Sequence, residues 1–391
     1  MSEIKVNSIK GVGASTAAIT VNNSDGTCTA NITNNLTNRN LIINGAMNVA
    51  QRGTSSTSAG YQTVDRFYGD FSGTDEAPTF AQVDVAVGTT PYTSGFRKAL
   101  KITNGNQTSG AGTADKILIY QRIEAQNLAQ SGWNYTSSSS NVTLSFWVKS
   151  SVAQNFYGYL RAPDGTSQNY PFETGSLSAD TWTKITKTIS GNSNLSIDNN
   201  NSIGLEFNIV PFWGTDNTGS VSLNAWAAFN ASVRMPDNTS TWYTTNDATF
   251  EITGVQLEVG SVATDFEHRS FAQEIALCGR YYQRLIDANY KALAVGVAYN
   301  GSTFQVVLEY PLGKMRTSPS IDAVTGADYW QVEGGSLDPA KHVDGAWVAE
   351  HSTDTQMSFY GVPDSTFSTL GLSHYLRSDN NAAKFSFSAE L

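Results

Sequence analysis

NVTLSFWVKSS, residues 141–151, sets Leu144, Phe146 and Val148 against Thr143, Ser145 and Trp147. That two-residue period is the mark of a half-buried β-strand, whose side chains point alternately to opposite faces. The same texture recurs outward in both directions. RKALKIT (97–103), KILIYQRIEA (116–125), NFYGYLRA (155–162), TWTKITKTI (181–189), SIGLEFNIV (202–210), SVSLNAWAAF (220–229) and ATFEITGVQLEVG (248–260) all read as strands. Turn-rich segments such as APDGTSQ and SGNSNLSIDNNNS separate them. Strands at this spacing argue for an all-β chain whose centre is an antiparallel sandwich or jelly roll. No heptads and no repeat of 20 to 50 residues occur, which argues against a β-helix.

Composition agrees. Of 391 residues, 40% are apolar and only 15% are charged, against about a quarter charged in ordinary soluble domains. Asn, Thr, Ser and Gly take up the difference, as suits strands joined by tight turns. The net charge of −10, with no run of Lys or Arg, excludes the counterion-displacing surface that nucleic acid requires. It also argues against an anionic membrane, and it leaves neutral or weakly charged glycans as partners. Cys28 and Cys278 are too few and too far apart for a disulfide framework or a zinc site, and are read as free thiols. MSEIKVNSIK has no apolar core of a signal peptide, and ALAVGVAY (292–299) is far short of a membrane span. The expectation is a soluble protein, made in a cytoplasm, without membrane insertion.

Four segments follow from the pattern. Residues 1–39 are Asn-, Thr- and Ser-rich, too poor in apolar residues to fold alone, and read as a docking arm or a disordered tail. Residues 40–268 hold the sandwich. Residues 269–286 are a linking helix: Ser270 and Gln273 form a capping-box pattern, and Phe271, Ile275, Cys278 and Tyr282 make one apolar stripe, expected to pack between domains. On that reading Asp at 271 or 275 would loosen the two domains. Residues 287–391 are a smaller β domain, opened by a hairpin at YNGS, where Asn-Gly favours a type I′ turn. Gly254 interrupts the alternation of its strand and marks a bulge. The charged group Asp265, Glu267, His268 and Arg269 is read as an ion-pair cluster fixing the interdomain angle.

Enzyme motifs such as GxSxG, HExxH, a P-loop or GxGxxG are missing, and no catalytic residue is assigned. The paired carboxylates Asp75/Glu76, Asp265/Glu267 and Asp338/Asp344 are read as solvated surface acids. A glycan hydrolase would need such a pair across a cleft. Aromatic rings are the better signal, because a sugar's C–H face stacks on a π surface. Trp213, Trp242 and Tyr243 lie beside turn residues and are the leading candidates. Tyr157, Tyr159 and Trp182 follow in the sandwich, and Trp330, Trp347, Tyr360 and Tyr375 in the terminal domain. Jelly rolls can hold a structural calcium on loop carboxylates, for which Asp65 and Glu258 are the candidates; no other cofactor is expected.

Several stretches together resemble a family. NLIINGAMNVAQRGTS (40–55) and TVDRFYGDF (63–71), then VTLSFWVKSS, TWTKITKTI and FEITGVQLEVGSVATDFEHRSFAQEIALCGRYYQR, resemble in order the sandwich domain of phage tail-fibre and virion structural proteins, including those of cyanophage. The resemblance covers roughly residues 40 to 285. YPLGKMRTSPSI (310–321) and the closing FSFSAEL resemble the domain that often follows. The resemblance implies a sandwich like a carbohydrate-binding module and a virion component. That component would be a homotrimer, attached to other tail or capsid proteins through residues 1–39 and binding host surface polysaccharide. A capsid decoration or tail-assembly role is the alternative, and a glycan depolymerase is a third reading.

Overall fold

The computed structural model describes the whole chain from residue 38 onward and, before it, residues 6–10, 12, 19–21, 24 and 28–30. The fold is all-β, 39% strand and 7% helix, and every strand pairing among the described residues is antiparallel. In the arm, β1 (Ser8–Ile9), β2 (Ile19–Val21) and β3 (Cys28–Ala30) form a three-stranded sheet that leaves Val6 and Ile9 exposed.

The sandwich contains β4 (Ser55–Ser56), β5 (Tyr68–Ser72), β6 (Thr79–Asp84), β7 (Lys98–Thr103), β8 (Lys116–Glu124) and β9 (Asn141–Ser150). It continues with β10 (Asn155–Ala162), β11 (Gln168–Ser176), β12 (Thr183–Ser190), β13 (Ile203–Trp213), β14 (Ala227–Ala228) and β15 (Thr249–Val259). Six strands form one sheet in the order β14-β11-β10-β13-β8-β5, and six form the other, β12-β9-β15-β7-β6-β4. Alternation puts Ile117, Ile119, Phe207 and Ile209 of the first sheet against Leu144, Phe146, Phe250 and Ile252 of the second, in one continuous core. Each fully buried side chain of this size contributes about 1.5–3 kcal/mol.

The predicted strand at 220–229 shrinks to the two-residue β14. Trp226 leaves the pattern by packing at a tilt against Tyr170, 5.3 Å between centroids, and donating to the Ser190 carbonyl at 2.9 Å. Conversely QNYPFETGS, which carries two turn formers, is the strand β11. Gly254 has φ +64 and sits at a register shift between β15 and β9. A Cβ there would come within 2.6 Å of the Phe96 ring, so both backbone and packing select glycine.

Helix α4 (Phe271–Gly279), preceded by the short α1 (Thr90–Thr93), α2 (Ala125–Ala129) and α3 (Thr241–Thr244), has the capping box made by Ser270 and Gln273. Its apolar stripe differs from expectation. Phe271 is 60% exposed and Ile275 half-buried, while Glu274 and Cys278 form the buried face. Tyr282 is buried but belongs to the next strand. Glu274 wins its buried place because it accepts from the Asn44 backbone and pairs with Arg269. Burial pushes the Cys278 thiol well above its ordinary range, with Asp65 and Glu274 adding to the effect.

The terminal domain packs β16 (Tyr282–Ile286), β19 (Ser320–Ala323) and β25 (Phe385–Ser388) as one small sheet in the order β16-β25-β19. Against it lies a seven-stranded sheet, β21-β20-β24-β17-β18-β23-β22. The latter comprises β17 (Ala292–Asn300), β18 (Thr303–Glu309), β20 (Trp330–Glu333), β21 (Lys341–His342), β22 (Val348–Ala349), β23 (Gln356–Gly361) and β24 (Ser373–Ser378). Trp330, Trp347, Phe359 and Phe385 fill the space between. The hairpin at YNGS is present as β17–β18, but its turn is not type I′, since neither Asn300 nor Gly301 has positive φ. The Asn300 side chain instead accepts from the Ser302 N–H at 2.9 Å, an Asx turn.

The charged cluster also differs in what it joins. Arg269 pairs with Glu267 at 3.2 Å, and Glu267 accepts from the Asn40 N–H at 2.8 Å, so the group ties the chain's entry into the sandwich to its exit. The two domains are held elsewhere. Arg280 and Tyr281 converge on the buried Glu124 at 2.5–2.7 Å, Arg66 pairs with Glu390, and Arg316 donates to the Asn201 carbonyl at 3.1 Å while its own carbonyl accepts from the Asn201 amide at 2.7 Å.

These placements separate two substitutions. Gly254→Val is expected to destabilise the protein by about 2–4 kcal/mol through combined backbone strain and clash. Phe271→Asp should stay within about 0.5 kcal/mol of the parent, as an exposed site does. Urea unfolding of both variants checks this, and a large loss at 271 would restore the interdomain stripe.

Candidate functional site

Committing one face of the first sheet to the core leaves the other face for solvent. On β8 the outward residues are Lys116, Leu118, Tyr120 and Arg122; on β13 they are Glu206, Asn208 and Val210; on β10 they are Tyr157, Tyr159 and Arg161. The β13–β8 register slips between Ile209 and Phe212, so Val210 and Pro211 together oppose Leu118. This bulge restarts the alternation, sending Phe212 to the core and Trp213 outward. Pro211, with no N–H to give a ladder, is suited to that position.

A cleft of about 360 Å³ lies on this face. Leu118, Tyr159 and Trp213 make its apolar floor, packed on the fully buried Val210 and Met235. Tyr120 stacks on Tyr68 at 4.7 Å along one side, and Asn217, Phe229 and Arg234 come in from the loops after β13. Four cationic side chains and two carboxylates line it. Lys116 pairs with Asp70 at 2.5 Å and Arg122 with Glu206 at 2.9 Å. Asn208, almost fully buried, donates to Glu206 at 3.2 Å. The other two cations are held differently. Arg161 lies 4.3 Å from the Phe229 centroid and donates from Nε to Ser167 at 3.3 Å. Arg234 lies 4.3 Å from the Trp213 centroid, and its buried Nε has no hydrogen-bond partner. Such an unmet buried donor costs roughly 1–3 kcal/mol. Burial raises the Tyr159 hydroxyl far above its ordinary range, with Glu206 adding to the effect, so it stays a neutral donor and acceptor at physiological pH.

Of the rings picked out in the sequence, the structure brings Trp213 and Tyr159 to the floor of this cleft, where they are only 6% and 4% exposed, and Tyr157 to its edge. Trp242 and Tyr243 are corrections. Both are enclosed in the sandwich core, Trp242 donating to the Thr249 carbonyl at 3.0 Å and Tyr243 to Asp115 at 3.0 Å, so neither offers a face to a ligand. Trp330 and Trp347 are likewise core residues of the terminal domain, packed edge to face at 6.3 Å. Tyr360 is half-buried on the outer face of the seven-stranded sheet, and Tyr375 is exposed there. Trp182 sits on the other side of the sandwich, 5.2 Å from Lys149, beside a second hollow of about 500 Å³ lined by Phe96, Trp147, Phe266 and His268. The charged and polar residues of the first cleft were not picked out. Their signal was present in KILIYQR, where every second residue from Lys116 is long, polar or aromatic.

Of the paired carboxylates considered from sequence, Asp265 lines the second hollow, while its partner Glu267 is turned to the Asn40 N–H and Arg269. Asp75 accepts from Ser109, Glu76 from Asn106, and Asp338 is buried against Lys341 at 2.8 Å. The cleft's own carboxylates stand far apart. Asp70 is opposite Leu118, and Glu206 opposite Arg122 across the other edge of β8. Two strand spacings and four residues put their Cα atoms ~16 Å apart.

Asp65 and Glu258 do not converge as a calcium site. Asp65 accepts from the Gln51 N–H and amide at 2.8 and 2.5 Å, and Glu258 from the Thr264 N–H and hydroxyl at 2.9 and 2.6 Å. Among the described residues no group of three or more His, Cys, Asp or Glu could hold a metal ion, and no helix is long and apolar enough to cross a membrane.

The sequence matches no family model and no curated protein. Solved structures similar to it are carbohydrate-binding modules and a phage tailspike domain. The N-terminal cellulose-binding domain of Cellulomonas fimi β-1,4-glucanase C is 10% identical, with a TM-score of 0.26, over 55% of this chain and 99% of that one. A family 11 carbohydrate-binding module from Clostridium thermocellum, solved with a β-1,3-1,4-mixed-linked tetrasaccharide, is 9% identical, with a TM-score of 0.25, over 55% and 98%. The enzymatically active domain of tailspike protein 4 from bacteriophage CBA120 is 11% identical, with a TM-score of 0.31. That match takes in 56% of this chain and 21% of the tailspike domain.

Burial raises the Asp65 carboxyl from its ordinary value to about 6, partly offset by its bonds from Gln51. The folded chain therefore binds this proton more tightly than the unfolded chain does. Its contribution favours the fold below about pH 4 and is lost as pH rises through about 6, a swing of ~3 kcal/mol. Asp65→Asn should flatten the fall in unfolding free energy between pH 4 and pH 6.5, measured by urea titration. An unchanged slope would place the titration elsewhere.

Proposed function

We propose that this chain is a glycan-binding virion protein, a homotrimeric tail fibre or adhesin that attaches a phage to host surface polysaccharide through the cleft on the outer face of the first sheet. The observation that carries the glycan reading is the floor of that cleft. Trp213 and Tyr159 are held by strand packing, with Asn208, Glu206, Arg122 and Lys116 around them. Flat apolar faces edged by donors and acceptors are what a sugar ring needs, its C–H face on the aromatic and its hydroxyls on the rim. Single sites of this kind bind weakly, and three tethered copies gain affinity by effective concentration. The ion pairing of Asp70 and Glu206, which turns them to Lys116 and Arg122 at opposite ends of β8, favours binding over hydrolysis, because glycosidases aim two free carboxyl groups at one bond. The phage assignment rests on the sequence resemblance, and attachment through residues 1–39 on the small arm sheet with its exposed Val6 and Ile9.

One observation favours the structural alternative, a capsid decoration or tail-assembly protein. The outer face of the seven-stranded sheet presents Val295, Val297, Tyr299, Val307 and Tyr375 to solvent, a patch of the kind that covers itself with protein. The two readings diverge on binding to intact host cells and extracted surface polysaccharide, with soluble mass measured alongside. Saturable binding by a trimer, weakened about tenfold or more by Trp213→Ala, is the expected result. A well-folded trimer that binds no cell and no polysaccharide would move the assignment to the structural role.

A further inference from the structure

Building on the glycan reading of the cleft, we infer that its ligand is an acidic polysaccharide, with the anionic group of one sugar seated between Arg161 and Arg234. The protein as a whole carries a net charge of −10, yet this cleft has more cations than carboxylates. Lys116 and Arg122 are neutralised in place by Asp70 and Glu206. Among the described residues neither Arg161 nor Arg234 makes an ion pair, since Glu206, the cross-strand neighbour of Arg161, is spent on Arg122. Arg161 makes one side-chain hydrogen bond, from Nε to Ser167. Arg234 makes none, although its Nε is buried. Both are fixed by stacking: their guanidinium carbons lie 4.3 and 5.5 Å from the centroid of the one Phe229 ring, and Arg234 also lies 4.3 Å from Trp213.

That arrangement spends one N–H, Arg161 Nε on Ser167, and leaves the other side-chain donors without a protein partner among the described residues. A guanidinium held by its face presents a fork of donors at its edge, matched to two oxygens of a carboxylate or sulfate. A neutral sugar could use single donors but would leave both charges uncompensated. Position agrees as well, since Trp213 is at once the stacking platform for a sugar and the support for Arg234. A uronic acid or sulfated sugar stacked on Trp213 would carry its anion toward the two arginines.

The test compares acidic polymers with their neutral parents: polygalacturonate with its carboxyl-reduced form, and dextran sulfate with dextran. Binding of the full chain is measured by affinity electrophoresis and calorimetry at low and moderate salt. The expected result is at least about tenfold tighter binding of an acidic polymer than of its parent, weakening as salt rises. Arg161→Gln and Arg234→Gln should each remove about tenfold of that preference and weaken neutral binding several-fold less than acidic binding, with thermal unfolding confirming that both variants fold. Trp213→Ala should weaken every polymer that binds. Preference for polygalacturonate assigns a carboxylate, and preference for dextran sulfate a sulfate; either supports the inference. Equal affinity for acidic and neutral polymers, unaffected at 161 and 234, would overturn the acidic specificity and leave the glycan cleft standing. Acidic binding indifferent to all three substitutions would place it on another surface and overturn the inference. Binding of no polymer would overturn both the inference and the glycan reading beneath it.

Discussion

A β-strand has two faces and a period of two, so each residue given to the core fixes its neighbours outward. Strand β8 shows how much follows from this. Ile117, Ile119 and Ile123 are needed inside the sandwich, and Lys116, Leu118, Tyr120 and Arg122 are thereby lined up on the opposite side. The cleft needs no scaffold of its own, because the hydrophobic packing that stabilises the sandwich also holds its floor rigid. The bulge at Val210 and Pro211 is the one departure that the site requires. In a regular ladder carrying the same sequence, Trp213 would fall on the core side and Phe212 in the cleft. A single irregularity in the ladder thus decides which aromatic the surface receives.

The same strand anchors the terminal domain. β8 ends at Glu124, which is buried and accepts from Arg280 and Tyr281, while Arg122, two residues earlier, reaches across to the Leu391 carbonyl at 2.8 Å. Arg66 lies over the Tyr281 ring at 3.4 Å and pairs with Glu390. Removing one member of such a buried pair is costly, on the order of 3–5 kcal/mol, because the partner's charge is left without compensation. The junction is therefore held by mutually dependent polar groups rather than by a sliding apolar contact. Arg122 belongs both to it and to the cleft, so the position of the terminal domain and the shape of the binding face share a residue.

What could be read from the sequence divides along the same physical line. Period-2 alternation in 141–151, 116–125 and 248–260 gave the strands, and Gly254 the bulge, because those signals are local. The strand expected at 220–229 failed since alternation cannot tell a pleated strand from a loop whose tryptophan docks elsewhere. Phe271 misled for a related reason: a stripe at helical spacing says which residues share a face, and only tertiary context says whether that face is covered. Trp242 and Tyr243, beside turn residues, looked exposed, yet the single-turn helix α3 carrying them packs on β13 and buries both in the core. The charged half of the cleft was legible only in part. Lys116, Tyr120 and Arg122 share a strand face visible in KILIYQR, but Arg161 and Arg234 come from a strand and a loop 73 residues apart in sequence.

An acidic chain with a cationic cleft is not a contradiction. Net charge governs solubility and long-range encounter, whereas charges beyond about 8–10 Å are screened at ordinary ionic strength, so a site responds to its immediate neighbours. What matters locally is how the cations are held. Lysines or arginines fixed by carboxylates have their charge already answered, as at Lys116 and Arg122. Guanidinium groups fixed by aromatic faces do not, because stacking positions the plane and leaves the fork of donors unused. Arg234 carries this furthest, since its Nε has been taken out of water without a partner, a cost that an oxygen-bearing anion would repair. With a net charge of −10 the chain does not draw a polyanion in from a distance, so the acidic preference comes from the donors that Arg161 and Arg234 leave unspent inside the cleft.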